Sequence, residues 1–271
     1  MSEETKSGIV LPTAPRPATA VNAENMCIYG KPKSGKTTAL SELKNCLLID
    51  LERGASYVDA MVMSVPENVG PVAIRNWIRE VAKSIREAGR PYDYVAIDTL
   101  SQIDIWSEWW GTWDYMHSVA GKKFNKQLDD RGELILGPDK KPILLKPSDP
   151  AYESVLSLSH GYGYQHTRQA FLEIFELLKN LGKVSTIFVC HVADKMIAEK
   201  NGEQVMTKDL ALTGKLQSII PRVVDAIANV WNEDGQMMIS FEANEEKIGG
   251  VRAKHLRGYN GPLDWNKIFI K

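Results

Sequence analysis

Short runs of apolar residues recur along the chain, and several of them end in a polar residue. The runs lie at residues 26–29, 46–50, 94–98 and 186–190. Apolar runs of this length, without alternating polar positions, are typical of strands that are buried on both faces. They therefore predict a mainly parallel sheet, because parallel sheets are covered by helices on both sides.

Amphipathic stretches separate these predicted strands. Residues 37–44, 74–87 and 171–181 have helical spacing, and Gly89-Arg90-Pro91 stops the second of them. Strands that alternate with helices predict an α/β domain with a central, mainly parallel sheet and helices on both faces. In such sheets, ligands bind at the carboxyl ends of the strands.

The first predicted strand and helix are joined by a segment that fits the motif G-x-x-x-x-G-K-[ST]. Its glycines permit a tight turn whose N–H groups converge on phosphates, so the motif predicts a loop for a nucleoside triphosphate, with ATP and Mg²⁺ as the expected cofactors. Lys36 would reach the β- and γ-phosphates, and the Thr37 hydroxyl would ligate Mg²⁺. The residues expected to bind the nucleotide are Gly30, Lys33, Ser34, Gly35, Lys36, Thr37 and Thr38.

Carboxylates stand at the ends of two predicted strands. Asp98 is the expected second ligand of Mg²⁺, usually through water, and the alternative is that it caps the next helix. Asp50 and Glu52 project to the same side of an extended chain, so one of them can face the nucleotide. Glu52 is the candidate general base for the attacking water. The alternative for Glu52 is a surface ion pair with Arg53.

A third polar residue, His191, follows the predicted strand 186–190. At a strand tip beside a phosphate loop, this side chain would contact the γ-phosphate and report hydrolysis to the next loop. The alternative is a histidine with a structural role only. Glu52, Lys36 and His191 are therefore the expected catalytic residues.

Composition narrows the choice of partners and compartment. Lys and Arg total 33 against 34 Asp and Glu, so nucleic acid could bind only through a local patch. The three cysteines lack zinc or disulfide spacing, which predicts buried, reduced thiols in a cytosolic protein. No apolar segment is long enough to cross a bilayer, so a cytoplasmic location without a membrane partner is expected. Residues 1–22 predict a flexible arm, and residues 23–271 the ATPase domain.

An insertion rich in tryptophan is predicted at about residues 104–160. Its tryptophans recur at helical spacing on one face, and lysines at 122–126 follow them. The stripe predicts either packing, in the core or at a subunit interface, or a platform on which nucleic-acid bases stack. The tryptophans concerned are Trp106, Trp109, Trp110 and Trp113.

The order of these motifs resembles that of the RecA-like recombinase and helicase-core ATPases. The resemblance rests on the phosphate loop, the strand end carrying Glu52, the strand end carrying Asp98 and the strand end carrying His191. Residues 29–38, 50–54 and 212–226 are similar to phage-encoded members that act as single-strand annealing proteins. The resemblance implies a RecA-like P-loop NTPase core over about residues 24–260.

The resemblance also implies roles for individual residues. Glu52 would activate water, and His191 would occupy the strand-tip position of the family. Residues 192–212 would match a DNA-binding loop, and a plain β-hairpin turning at Asn201-Gly202 is a compatible alternative. The DNA-binding residues expected there are Lys195, Lys200 and Lys208.

Two basic residues near the end of the chain resemble the pair that recombinases project toward a neighbour's γ-phosphate. Arg252 and Lys254 lie on a predicted late strand, and an exposed basic strand face is the alternative. If they act across a subunit boundary, the active site is completed only in an oligomer.

The function that the sequence and this resemblance imply is therefore a Mg²⁺-dependent, RecA-like ATPase, phage-encoded, that binds single-stranded DNA as a homo-oligomer, in a ring or a filament. It would promote annealing or homologous recombination in the host cytoplasm, with a single-strand-binding protein as a further partner. The alternative is a nucleotide-gated assembly module with little turnover.

Overall fold

The computed structural model describes residues 13–89, 91–200 and 203–270, with residues 195–200 and 203–206 described by their backbone alone. Ten strands form the sheet. They are β1 (Asn25–Gly30), β2 (Cys46–Asp50), β3 (Met61–Ser64), β4 (Tyr94–Asp98), β5 (Ser185–Lys200), β6 (Glu203–Leu210), β7 (Ala226–Glu233), β8 (Gln236–Ser240), β9 (Gly250–Val251) and β10 (Asn260–Pro262).

The strand order of the sheet is β10-β8-β7-β1-β5-β4-β2-β3. The six strands from β7 to β3 are parallel, and β8, β9 and β10 join by antiparallel pairing. The prediction of a mainly parallel sheet is therefore confirmed. One strand, β5, separates the strand of the phosphate loop from the strand that ends in Asp98, so the carboxyl ends of these three parallel strands lie side by side at one edge of the sheet.

Helices cover both faces of the sheet. They are α1 (Lys36–Ser41), α2 (Pro71–Glu87), α3 (Leu100–Met116), α4 (Tyr162–Lys179), α5 (Leu216–Val223) and α6 (Trp265–Ile268). One hydrophobic core lies under α2, α3, α4 and α5, and a second lies under α1 and α6. Successive residues of one strand serve the two cores in turn, as Cys27 and Tyr29 do on one side and Met26 and Ile28 on the other.

Several predicted boundaries differ in the structure. α1 ends at Ser41 rather than at residue 44, and α4 begins at Tyr162 rather than at residue 171. β5 continues past the predicted end at residue 190 and pairs antiparallel with β6 as far as Lys200 and Glu203. The apolar runs alone do not mark this ribbon because its sequence is polar, and only the Asn201-Gly202 dipeptide indicates it. The predicted hairpin is confirmed in its strand pairing, and its turn at residues 201–202 lies outside the described residues.

The predicted insertion at residues 104–160 is divided differently. Residues 104–116 belong to α3, which packs in the core, and only the chain after Met116 leaves the helical layers. Isolated bridges such as Lys126 to Leu144 and Leu136 to Pro142 then organise an irregular excursion that returns to α4. The prediction placed the tryptophans in the insertion because it did not extend the helix that follows Asp98.

The remaining predictions about the chain concern its ends and its thiols. Residues 13–21 are exposed, whereas Ala23 is buried, and residues 1–12 of the predicted arm lie outside the described residues. Cys27, Cys46 and Cys190 are buried and free, as predicted. Within the described ranges, every helix is too short or too polar to span a membrane.

Candidate nucleotide site

The phosphate loop joins the carboxyl end of β1 to α1 and is shaped by positions that need glycine or a left-handed backbone. A Cβ on Gly30 would lie 2.3 Å from the Val230 carbonyl oxygen, so only glycine fits there. Lys33 and Gly35 have positive φ of 60° and 93°. Left-handed residues within such a turn direct N–H groups toward an anion, so this conformation suits phosphate binding.

Lys36 is 5 % exposed and folds back over the loop. Its ammonium donates to the carbonyl oxygens of Gly30 at 3.1 Å and Lys31 at 2.7 Å. Burial lowers the pKa of Lys36, and the nearby carboxylates of Asp98 and Glu52 oppose that shift. The lysine is thus held at the base of the loop, beside both acids named from the sequence.

Thr37 and Asp98 come together although 61 residues separate them. The Thr37 hydroxyl donates to Asp98 Oδ2 at 2.7 Å. Burial raises the pKa of Asp98, and the hydrogen bond from Thr37 opposes the rise. The alternative that Asp98 caps the next helix is not what the structure has, since the Thr99 side chain accepts from the Gln102 N–H and caps α3.

Asp50 and Glu52 have different roles in spite of their similar positions. Asp50 is buried and accepts from the N–H groups of Glu52, Gly54 and Ala55 at 3.2, 3.1 and 2.9 Å. Its carboxylate therefore shapes the turn after β2. Arg53, the alternative partner of Glu52, instead donates to the Val65 carbonyl and to Glu67, on the other side of the turn, so the predicted alternative of a Glu52–Arg53 pair is absent.

Glu52 is instead held by two residues from neighbouring strand ends. Its Oε1 accepts from the Thr99 hydroxyl at 2.6 Å, and His191 Nε2 lies 3.0 Å from Oε1 and 3.3 Å from Oε2. The hydrogen bond with His191 lowers the pKa of Glu52, burial opposes this, and Thr99 adds to the lowering. Glu52 is therefore ionised at neutral pH. The structure brings together Lys36, Thr37, Glu52, Asp98 and His191 as the sequence predicted.

Thr99 and Ser101 were not among the predicted site residues. Thr99 binds Glu52, and the Ser101 hydroxyl accepts from the His191 backbone N–H at 3.1 Å. Thr99 directly follows the strand end at Asp98, and Ser101 lies three residues after it. A polar residue next to a predicted metal ligand is the signal that could have identified them.

The residues present fit a nucleotide with Mg²⁺. The Ser34 hydroxyl oxygen is buried and has no hydrogen-bond partner among the described residues, as expected of a group placed to meet a phosphate. Gly30 leaves no room for a side chain at the bottom of the loop. Thr37 and Asp98 present a hydroxyl and a carboxylate to one point, and these are oxygen ligands of the kind that Mg²⁺ takes.

Arg252 and Lys254 lie away from this site. The Arg252 guanidinium donates to Asp225 Oδ1 at 2.7 Å and to the Arg222 carbonyl at 3.1 Å. Asp225 also accepts from the N–H of Asn25, which begins β1, whereas the phosphate loop follows the other end of that strand. Lys254 begins a short 3₁₀ turn, not the predicted strand, because the strand β9 ends at Val251. Within one protomer, neither residue reaches the phosphate loop.

The predicted DNA-binding lysines lie on the β5–β6 ribbon. The side chains of Lys195 and Lys200 lie outside the described residues, and only their backbone positions on β5 are given. Lys208 is exposed on β6, and its backbone N–H donates to the Glu246 carbonyl at 2.6 Å. Whether these side chains contact DNA stays a prediction.

The tryptophan stripe is used mainly for packing. Trp110 is fully buried and donates from Nε1 to the Pro71 carbonyl at 2.6 Å. Trp109 and Trp113 are each 39 % exposed, and Trp109 stacks on Tyr152 of the following excursion at a centroid distance of 6.3 Å. Lys126, which the stacking interpretation would place on a phosphate, donates to three carbonyls, one of them at 2.7 Å, and closes the end of α3.

Comparison with known families connects this geometry to a class of protein. Residues 22–132 match a family model described as an AAA domain. The match covers less than half of the chain, but it includes the phosphate loop, Glu52, Asp98 and all of α3. It supports a P-loop NTPase and, with it, nucleotide binding. No curated protein matches the chain.

Proposed function

We propose that the chain binds ATP with Mg²⁺ in the loop from Gly30 to Thr37 and hydrolyses it, with Glu52 as the general base. The observation that carries this proposal is the position of the Glu52 carboxylate. It is ionised, oriented by Thr99 and His191, and close enough to influence the pKa values of Lys36 and Asp98. A carboxylate beside a phosphate loop that is held in one orientation can position water for in-line attack.

Each residue then has a defined task. Lys36 leaves the carbonyl oxygens of Gly30 and Lys31 and binds the β- and γ-phosphates, which offer its ammonium stronger, charged partners. Thr37 and Asp98 would hold Mg²⁺, which would neutralise developing charge on the phosphate oxygens. Glu52 accepts the proton of the attacking water, and His191 fixes the carboxylate in place.

We further propose that the ATPase works as a homo-oligomer on single-stranded DNA, as a phage-encoded annealing or recombination protein in the host cytoplasm. The support for this part is the sequence resemblance described above. Arg252 and Lys254 do not reach the phosphate loop of their own protomer, which is compatible with a role at the loop of a neighbour. Arg252 would exchange its ion pair with Asp225 for that role. In an oligomer, Lys36 would come from the protomer that binds ATP, and only the contribution of Arg252 and Lys254 to the γ-phosphate would depend on assembly.

The experiment that tests the proposal is Mg²⁺-dependent ATP hydrolysis, with and without single-stranded DNA, by the full chain and Lys36→Ala. We expect turnover to be lost in Lys36→Ala and kept in Lys44→Ala, which removes an exposed lysine just beyond α1. Equal turnover in Lys36→Ala would refute the assignment of the site. Turnover that DNA leaves unchanged would refute the coupling to DNA and keep the ATPase.

A second function is favoured by one observation. His191 Nε2 is within hydrogen-bond distance of both oxygens of Glu52, and the Lys36 ammonium donates to loop carbonyls, so contacts within the protein occupy both catalytic groups. A nucleotide-gated assembly module would keep the Glu52–His191 contact after binding ATP. Tight ATP binding by the unaltered chain, with turnover as low as that of Lys36→Ala and unchanged by DNA, would favour that function.

A further inference from the structure

We propose that single-stranded nucleic acid binds in a cleft between the start of α4 and the loop before α5. This inference rests on the proposed DNA binding and gives it a site other than the β5–β6 ribbon. The cleft has a volume of about 440 Å³, and its walls come from residues 160–168 and 213–216. The side chains that matter are Tyr162, Tyr164, Arg168 and Lys215.

Charge in the cleft favours an anionic ligand. Arg168 and Lys215 both line it, and neither has an ion-pair partner in the part of the chain that the structure describes. No residue that lines the cleft is Asp or Glu, although the chain as a whole has a formal net charge of −1. Cations that are not neutralised by the protein raise the local potential and attract phosphates. The cleft therefore has two cations and no carboxylate in its lining, in a chain whose net charge is nearly neutral.

Two aromatic side chains favour a nucleic acid among anions. Tyr162 and Tyr164 are each 49 % exposed, and both line the same cleft as the two cations. Exposed aromatic rings beside cations stack bases while the cations hold the phosphates, and this combination binds single strands with little dependence on sequence. An acidic peptide would use the charges and leave the rings without a partner.

The wall of the cleft is connected to the nucleotide site by hydrogen bonds. Asp104 of α3 accepts from the N–H and the hydroxyl of Thr213 at 2.7 and 2.8 Å. The Ala211 N–H donates to the carbonyl oxygen of His191 at 2.9 Å, and the side chain of His191 contacts Glu52. A change at the γ-phosphate therefore has a short route to the loop that carries Lys215.

The test measures binding of a labelled 20-nucleotide oligo-dT to the full chain by fluorescence polarisation across salt concentrations. In the variant Arg168→Ala/Lys215→Ala, we expect weaker binding and a salt slope smaller by about 1.4, since each phosphate contact with a single strand contributes about 0.7. In Tyr162→Ala/Tyr164→Ala, we expect affinity to fall about 5-fold to 150-fold for each lost stacking contact. ATP turnover without DNA and the melting temperature should stay unchanged in both.

The matched control is Lys83→Ala/Arg86→Ala, which removes the same charge from the exposed side of α2. If both cleft variants bind like this control, the cleft is not the site, while the proposed DNA binding stands. If the unaltered chain binds no oligonucleotide, the proposed DNA binding fails and the cleft with it. Oligo-U and duplex competitors distinguish RNA and paired DNA from single-stranded DNA. Competition by polyglutamate as strong as that by oligo-dT would overturn the nucleic-acid assignment.

Discussion

Replacing Glu52 by Gln tests the assignment of the general base with little change to the fold. Glu52 Oε1 accepts from the Thr99 hydroxyl at 2.6 Å, and a glutamine oxygen can accept the same bond. The amide NH₂ then faces His191 Nε2, which lies 3.3 Å from Oε2. Exchanging hydrogen bonds to a charged group for neutral ones costs about 1 kcal/mol of folding free energy. Turnover should fall by a factor of about 10² to 10⁴, which corresponds to about 3–5 kcal/mol in the barrier.

The assay is steady-state ATP hydrolysis, together with the affinity for ATP and thermal unfolding. We expect Glu52→Gln to bind ATP like the unaltered chain, because the residue acts on water rather than on the bound phosphates. The neighbouring Asp50→Asn is the control, because it should lower the stability of the fold and spare the turnover of the folded protein. Asp50 accepts three backbone N–H groups and an amide can replace only one oxygen, so that variant should lose about 2–3 kcal/mol of stability. A Glu52→Gln protein that keeps more than a tenth of its turnover would refute the assignment of the base.

Two further predictions concern the core. Arg75 is 5 % exposed, but the side chains of its partners Asp114 and Glu173 are each 45 % exposed, so water can solvate those carboxylates when the guanidinium is removed. In urea unfolding, Arg75→Met should therefore lower the free energy of unfolding by less than about 1.5 kcal/mol, whereas Arg75→Ala, which leaves a cavity, should lower it by about 2–5 kcal/mol. Equal losses in the two variants would contradict this prediction. Burial raises the pKa of Cys46 to about 12, so the native protein at pH 8 should not react with a thiol reagent, whereas the unfolded chain should. The free energy of unfolding should fall as the pH rises above about 8.5, because thiols ionise there in the unfolded chain but not in the native protein. Rapid reaction of the native thiols would disprove this prediction.

The elements that the sequence predicted well are those whose physics is local. The phosphate loop is set by glycine geometry over a few residues, and Gly30 shows why, since a Cβ there meets the Val230 carbonyl at 2.3 Å. The parallel strands are marked by continuous apolar runs because both of their faces are buried. The order of the strand ends then follows from the sheet, whose register places Gly30 opposite His191 and Asp50 opposite Asp98.

The elements that could not be predicted depend on contacts between distant residues. Asp50 and Glu52 have the same charge and the same apparent side of the chain, and only the turn that Asp50 holds separates their roles. The sequence does not distinguish Trp110 from the other tryptophans of the stripe, because what separates them is the contact of its indole N–H with the distant Pro71 carbonyl. Arg252 was predicted on a late strand, but β9 ends at Val251 and Asp225 fixes the guanidinium away from the phosphate loop.

The start of α3 lies between the nucleotide site and the proposed DNA cleft, so it offers a short link between the proposed hydrolysis and the proposed binding of single-stranded DNA. Thr99 contacts the carboxylate of the proposed base, Ser101 accepts the backbone N–H of His191, and Asp104 holds Thr213 at the cleft, so one helix touches both sites within two turns. Asp104 is buried, and its Oδ1 has no hydrogen-bond partner among the described residues. Burial raises the pKa of Asp104, and the hydrogen bonds from Thr213 oppose the rise. Such a carboxylate depends on the Thr213 contact to remain satisfied. A shift of the loop that carries Thr213 therefore acts on the same helix that positions Glu52. Any effect of single-stranded DNA on the affinity for ATP must then be matched by an equal effect of ATP on the affinity for DNA.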